Sequence, residues 1–240
     1  DSMKSKMKEA IKLSSQPVAV IKSDRMPEGA IHFKEGVWGC VIPMLSAASK
    51  GRTAAFCEET TTCPGGKVGM GFKGFELGTI EYFLSTGGVG PKPGEFYKKN
   101  PDLARKYAEN VPKVKAERYV VLKPLSEVKE EEKPEAVVFL VNADQLSALA
   151  TLANYDQPTQ DNVQIKFGAG CAQAILYAVS DQEDGKRKCT IGLTDPSARK
   201  CISKELLSFS IPYDRYLEME EQVGESFLTK DTWVHLSERI

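Results

Sequence analysis

Six cysteines punctuate the chain, at positions 40, 57, 63, 171, 189 and 201. Three of them fall in the stretch VWGCVIPMLSAASKGRTAAFCEETTTCPGGKVGMGFKG, which runs from Val37 to Gly74. A thiolate is both a soft metal ligand and a nucleophile, so cysteines grouped with glycines point to metal or redox chemistry. Cys57 and Cys63 flank a polar loop, and Cys63 runs directly into Pro64, Gly65 and Gly66. Cysteine followed by proline is a feature of cluster ligands in bacterial ferredoxins. Glycines there let backbone N–H groups approach the cluster sulfurs.

An all-cysteine cluster needs four thiolates. Cys40, Cys57 and Cys63 supply three, and Cys171 in Gly168-Ala-Gly-Cys171 is the expected fourth. The leading expectation is therefore an iron–sulfur, redox-related protein. It would hold a [4Fe-4S] cluster through those cysteines, with Gly65, Gly66 and Gly170 lining it. Zinc is the alternative occupant, although the paired CxxC knuckles of structural zinc sites are missing. Cys189 and Cys201 read as structural or peripheral. Two other functions remain open. One is a metal-free thiol/disulfide oxidoreductase cycling Cys57 and Cys63; the other is a non-enzymatic module binding a small molecule or a partner.

Other chemistries have less support. His32 and His235 are the only histidines and stand at opposite ends of the chain, a poor basis for a hydrolytic triad. Gly69 to Gly74 matches GxGxxG formally, but a loop precedes it where a strand is required. A backbone nest for an anionic group is the better expectation for these glycines. Glu58 and Glu59 read as a solvated loop pair.

These side chains must be carried by regular elements. Pro17–Lys22 (PVAVIK), Thr53–Cys57, Arg118–Lys123 and Ala136–Val141 read as strands. Gln164–Phe167, Lys188–Leu193 and Leu206–Ile211 complete that set. Helices are predicted over Lys4–Leu13, Trp38–Lys50, Phe75–Leu84, Asp102–Asn110 and Ala143–Ala153. Two more run from Gly168 to about Val179 and over Pro212–Gln222. Asn100 is placed to cap its helix with Pro101 in the first turn. The basic, aromatic FYKK and ARKY stretches around it read as a solvated face or a lid.

The two halves echo one another. PVAVIK precedes WGC much as AVVFLV precedes GAGC. Cys40 and Cys57 are 17 positions apart, and Cys171 and Cys189 are 18 apart. Each interval runs helix, turn, strand. This predicts an α+β fold of two related mixed halves, 1–125 and 126–240, around a central cysteine site. One compact domain is the variant of that expectation. The charged segment Ser126–Glu135 is the expected boundary, and Cys40 and Cys171 would each sit at a helix N-terminus that lowers thiol pKa.

Composition bounds the rest. Hydrophobic residues make up 41% and charged residues 27% of the 240, the balance of a globular domain. A net charge of −1 gives no basic field for nucleic acid. No apolar run approaches the roughly 20 residues of a membrane helix. Cytoplasm is the expected location. The expected partners are a redox protein, a small molecule or further copies of the chain.

The WGC helix start, the FCEE…CPGG loop and the GAGC helix together resemble the prokaryotic domain-of-unknown-function family 169, from about Ser14 to Tyr216. The resemblance implies an intracellular α+β protein. It favours Cys57, Cys63 and Cys171 over Cys189 and Cys201 as site residues.

Overall fold

Strand β1 (Val18–Ser23) turns Val18 and Val20 to one side and Ala19 and Ile21 to the other, and all four are buried. Such a continuous apolar run marks a strand covered on both faces. The computed structural model, which describes residues 2–240, places it near the middle of one seven-stranded sheet. The other strands are β2 (Ala54–Phe56), β3 (Tyr119–Pro124), β4 (Ala136–Val141), β5 (Val163–Gln164), β6 (Cys189–Gly192) and β7 (Leu207–Pro212). Their order is β2-β3-β1-β4-β7-β6-β5, antiparallel throughout except for the β5–β6 pair.

Helices cover both faces. On the first lie α1 (Lys6–Ala10), α6 (Ala143–Leu152), α9 (Tyr213–Gln222) and α10 (Asp231–Ser237). They pack Met7, Leu149, Tyr216 and Trp233 onto Ile21, Phe139 and Phe209. On the second, α2 (Val41–Ser49) and α7 (Tyr177–Glu183) set Val41, Leu45 and Ala178 against Val20, Val138 and Leu140. Four shorter or outlying helices complete the chain: α3 (Pro64–Gly69), α4 (Ile80–Phe83), α5 (Pro101–Asn110) and α8 (Pro196–Arg199). Among the described residues, no helix is long and apolar enough to cross a membrane.

Several expectations need revision. The fold is mixed α+β, but the halves do not face each other across a central site. Val18 pairs with Val138, so β1 and β4 stitch both halves into one sheet. The segment Ser126–Glu135 is held down rather than loose. Glu132 accepts both from Lys123 Nζ, at 2.9 and 3.0 Å, and from the Lys129 backbone N–H. The predicted helix Phe75–Leu84 shrinks to Ile80–Phe83, because Gly78 adopts a left-handed backbone that ends any longer run. Conversely the Cys-Pro-Gly-Gly stretch, expected to be a loop, is helix α3 with Pro64 at its first position. The Asn100 cap is as predicted, its side chain accepting from Leu103 N–H at 3.0 Å.

A buried arginine locks α9 to the end of α6. Arg215 donates to both oxygens of Asp156, at 2.6 and 2.9 Å, and to the Ala153 carbonyl at 3.1 Å. The Arg215 hydrogen bonds hold the Asp156 carboxyl well below the usual carboxylate range. Stability from a depressed carboxyl is complete above its unfolded value, about 4, and is lost as pH falls through the folded one. Asp156→Ala should cost about 1–3 kcal/mol in urea unfolding at neutral pH, toward the lower end because Asp156 is partly exposed. The variant should also lose less stability than the parent below about pH 4.

Candidate functional site

All six cysteines are free thiols, and the two faces of the sheet separate them. Cys189 lies in the core of the first face, its thiol against the Met219 sulfur at 3.8 Å. Burial pushes its pKa up to about 12. It is a small apolar side chain filling the core.

Cys40, Cys63 and Cys171 lie at helix starts on the second face. Cys40 immediately precedes α2, Cys63 precedes α3, and Cys171 opens a π-turn (Ala172–Leu176) that leads into α7. The expected acidification of these thiols does not occur for the two whose ionisation is displaced. Burial outweighs the backbone N–H of Ile42 and raises Cys40 to about 11, with the Cys201 and Cys63 thiols adding to the rise. Cys171 is raised as well, first by burial and then by the neighbouring Cys40 and Cys63. Desolvation of the anion outweighs the helix-end field here.

These thiols are near enough to feel one another's charge, yet they do not make a metal centre. Among the described residues, no group of three or more His, Cys, Asp or Glu could hold a metal ion. The expectation of a [4Fe-4S] cluster, or of zinc, on Cys40, Cys57, Cys63 and Cys171 is therefore overturned, together with the metal-binding and redox-cluster function built on it. Two contacts explain why. The Cys57 thiol is engaged by the Thr60 hydroxyl at 3.2 Å. Cys171 is packed among Met70, Ile175, Leu193 and Ala198 as part of the core.

The glycines serve packing as well. A Cβ on Gly69 would fall onto the Cβ of Cys171 and within 2.8 Å of its carbonyl carbon, so Gly69 lets α3 lie directly on the π-turn. Gly65 faces the Ala169 methyl, and Gly66 faces Thr61 and Val41. The Gly170 N–H donates to Asp195 Oδ2 at 3.0 Å, and its Cα faces the Ala198 methyl. Over this turn, Tyr97 and Tyr107 pack edge-on against Phe167, and Lys98 lies 4.3 Å from that ring. The FYKK segment thus folds down as a cover, pinned by the Phe96 and Lys98 N–H groups on the Ser85 and Leu84 carbonyls.

A concavity lies elsewhere, where residues from both faces of the sheet meet. A cleft of about 700 Å³ opens between the C-terminal end of α2, the end of β4 and two connecting segments, 12–15 and 200–206. That volume suits a small organic molecule. Lys12, Lys50 and Lys200 line it, with Ser14, Ser15, Ser46 and Ser203, and among the described residues no Asp or Glu side chain is in its walls. Asn142 stands at its edge as the cap of α6, accepting from Gln145 N–H at 2.9 Å. Lys12 has a left-handed backbone, φ 51°, where α1 ends, and its ammonium donates to the Ser237 carbonyl at 3.0 Å. Cys201 forms part of the wall.

No local motif in the sequence marks Lys12, Lys50, Lys200 or Cys201. They belong to three turns, with Lys200 and Cys201 adjacent in one of them, that only the tertiary fold brings together.

The family model DUF169, described as an uncharacterised ArCR family, matches residues 6–222. No curated protein and no solved structure matches the chain.

Two measurements check this packing. Gly69→Ala should lower stability by about 1–3 kcal/mol in urea unfolding, because the added methyl meets backbone on Cys171; Gly224→Ala, whose Cβ meets nothing, should not. In native protein at pH 8, iodoacetamide should leave Cys171 and Cys189 unmodified until the chain unfolds. Cys40 labelling should rise steeply only as pH approaches about 11.

Proposed function

The chain belongs to the family DUF169, and we propose that in this member the cleft beside β4 receives a small anion, making the protein a small-molecule-binding module. The observation that carries this reading is a concavity of about 700 Å³ with three lysines and several hydroxyls but, among the described residues, no acidic side chain. A phosphate or carboxylate entering it would meet positive charge on three sides. At an effective dielectric near 20, each close charge pair is worth about 4 kcal/mol before desolvation. Ser14, Ser15 and Ser203 supply hydroxyl donors that a flat cationic surface would lack. Lys12 is held in place by its bond to the Ser237 carbonyl, which lowers the entropy lost on binding.

We also infer that the two halves are related. Outward from the β1–β4 junction, β1-β3-β2 on one side corresponds to β4-β7-β6 on the other, with antiparallel pairing in both. The helices that follow Cys40 and Cys171 share one face of the sheet. The same reading locates the protein in the cytoplasm, where six free thiols are kept reduced.

Titration calorimetry with inorganic phosphate and with small di- and tricarboxylates tests the anion reading. Binding of at least one of these probes should weaken about ten-fold in Lys50→Ala and again in Lys200→Ala, which is about 1.4 kcal/mol for each lost contact. Affinity that is the same in both variants and the parent would overturn it.

A further inference from the structure

The polarity of the cleft beside β4 changes with depth. Its three lysines stand at the mouth: Lys12, Lys50 and Lys200 are all exposed. Deeper in, Leu13 and Leu140 are only 6% and 2% exposed, and each belongs to the packed core of one face of the sheet. Ile202 and Leu206, half-buried, add apolar surface to the wall.

Two polar side chains also reach the buried part, Ser49 and Gln145, at 4% and 5% exposure. Both are already spent on the backbone. Ser49 Oγ donates to the Ser46 carbonyl at 2.7 Å. The Gln145 amide nitrogen donates to the Ile11 and Lys12 carbonyls, at 3.3 and 3.4 Å, and its oxygen accepts from Asn142 N–H at 3.1 Å. A ligand group at this depth would leave water without meeting a free donor on either side chain. A polar group is penalised there, and an apolar one gains. The size agrees: about 700 Å³ is in the range of sites that enclose a whole organic molecule. A bare phosphate group at the lysines would leave the apolar part to water.

We propose that the ligand of this cleft is an amphiphilic organic acid. The lysines at the mouth hold its anionic head, and its alkyl or aryl body lies against Leu13, Leu140, Ile202 and Leu206. This rests on the anion reading above and adds the chemistry of the rest of the molecule. Head and body contribute separately. The head supplies charge attraction, which salt screens at an exposed mouth. The body supplies affinity that grows with each methylene group removed from water. The head also fixes direction, because a reversed molecule would bury its charge beside Leu140 without a partner.

The test is titration calorimetry of the native protein with straight-chain monocarboxylates from acetate to octanoate. Inorganic phosphate and 1-octanol serve as the two controls. One molecule should bind per chain, and affinity should rise about two- to four-fold for each added methylene, the upper figure being that of full burial. Octanol should bind at least about ten-fold more weakly than octanoate, the worth of one good charge contact. Lys50→Ala should weaken every acid by a common factor and keep the gain per methylene, whereas Ile202→Ala should shrink that gain. The parent series decides by itself should Ile202→Ala fold poorly. Affinity that stays flat from acetate to octanoate, while phosphate binds in a lysine-dependent way, would overturn this proposal and leave the anion reading standing. Octanol binding as tightly as octanoate, or octanoate binding unchanged by Lys50→Ala, would overturn it as well. If neither phosphate nor any acid binds, both readings fall together.

Discussion

The pairing of β1 with β4 is the constraint on which the remaining structure depends. It joins strands from the two halves of the chain at the centre of one sheet. Both strands are buried on each face, so neither half can keep a private core. Helices must then cover both sides, and each helix is assigned to a face by the strand residues it meets. Packing α2 and α7 on one side, with α6 and α9 on the other, follows from that assignment. It also decides which cysteines can ever meet.

Placement on one face is not enough to make a metal centre. Cys171 reaches the same neighbourhood as Cys40 and Cys63, but it arrives beneath Gly69 as a core side chain. Such burial opposes ionisation, and a neutral thiol among apolar neighbours is a poor ligand. The glycine-rich stretch plays the matching part: without side chains on Gly65, Gly66 and Gly69, α3 approaches the π-turn of the Cys171 helix closely. A single π-turn in an otherwise regular helix often accompanies function. Here it is covered by the aromatic cluster of Tyr97, Tyr107 and Phe167, while the open cleft lies at the other end of α2.

Much of this fold was legible in the residues. Apolar and β-branched runs located most strands, Ala136–Val141 to the residue, whereas the expected strand Gln164–Phe167 overlaps β5 at Gln164 alone. Asn100 before Pro101 located α5, and the positions of Cys40 and Cys171 at helix starts followed from Gly-Cys pairs opening apolar periodic runs. What misled was local resemblance. Cys-Pro-Gly-Gly has the composition of a loop, but proline at the first position and close packing against Ala169 and Cys171 make it helical. The cysteine spacing carried no information on direction, so it could not reveal that Cys57 turns to Thr60 or that Cys189 lies on the opposite face of the sheet. The cleft was invisible for a related reason: each of its lysines ends or follows a different element, and none has a motif around it.

The proposed anion site lies at Lys12, Lys50 and Lys200, away from the cysteine–glycine stretch. The most direct measurement is a ¹H–¹⁵N correlation titration of the isotopically labelled protein with inorganic phosphate at constant ionic strength. The account predicts shifts concentrated in segments 12–15, 46–50 and 200–206, saturating together. Shifts centred on residues 57–70, or scattered evenly over the surface lysines, would contradict it.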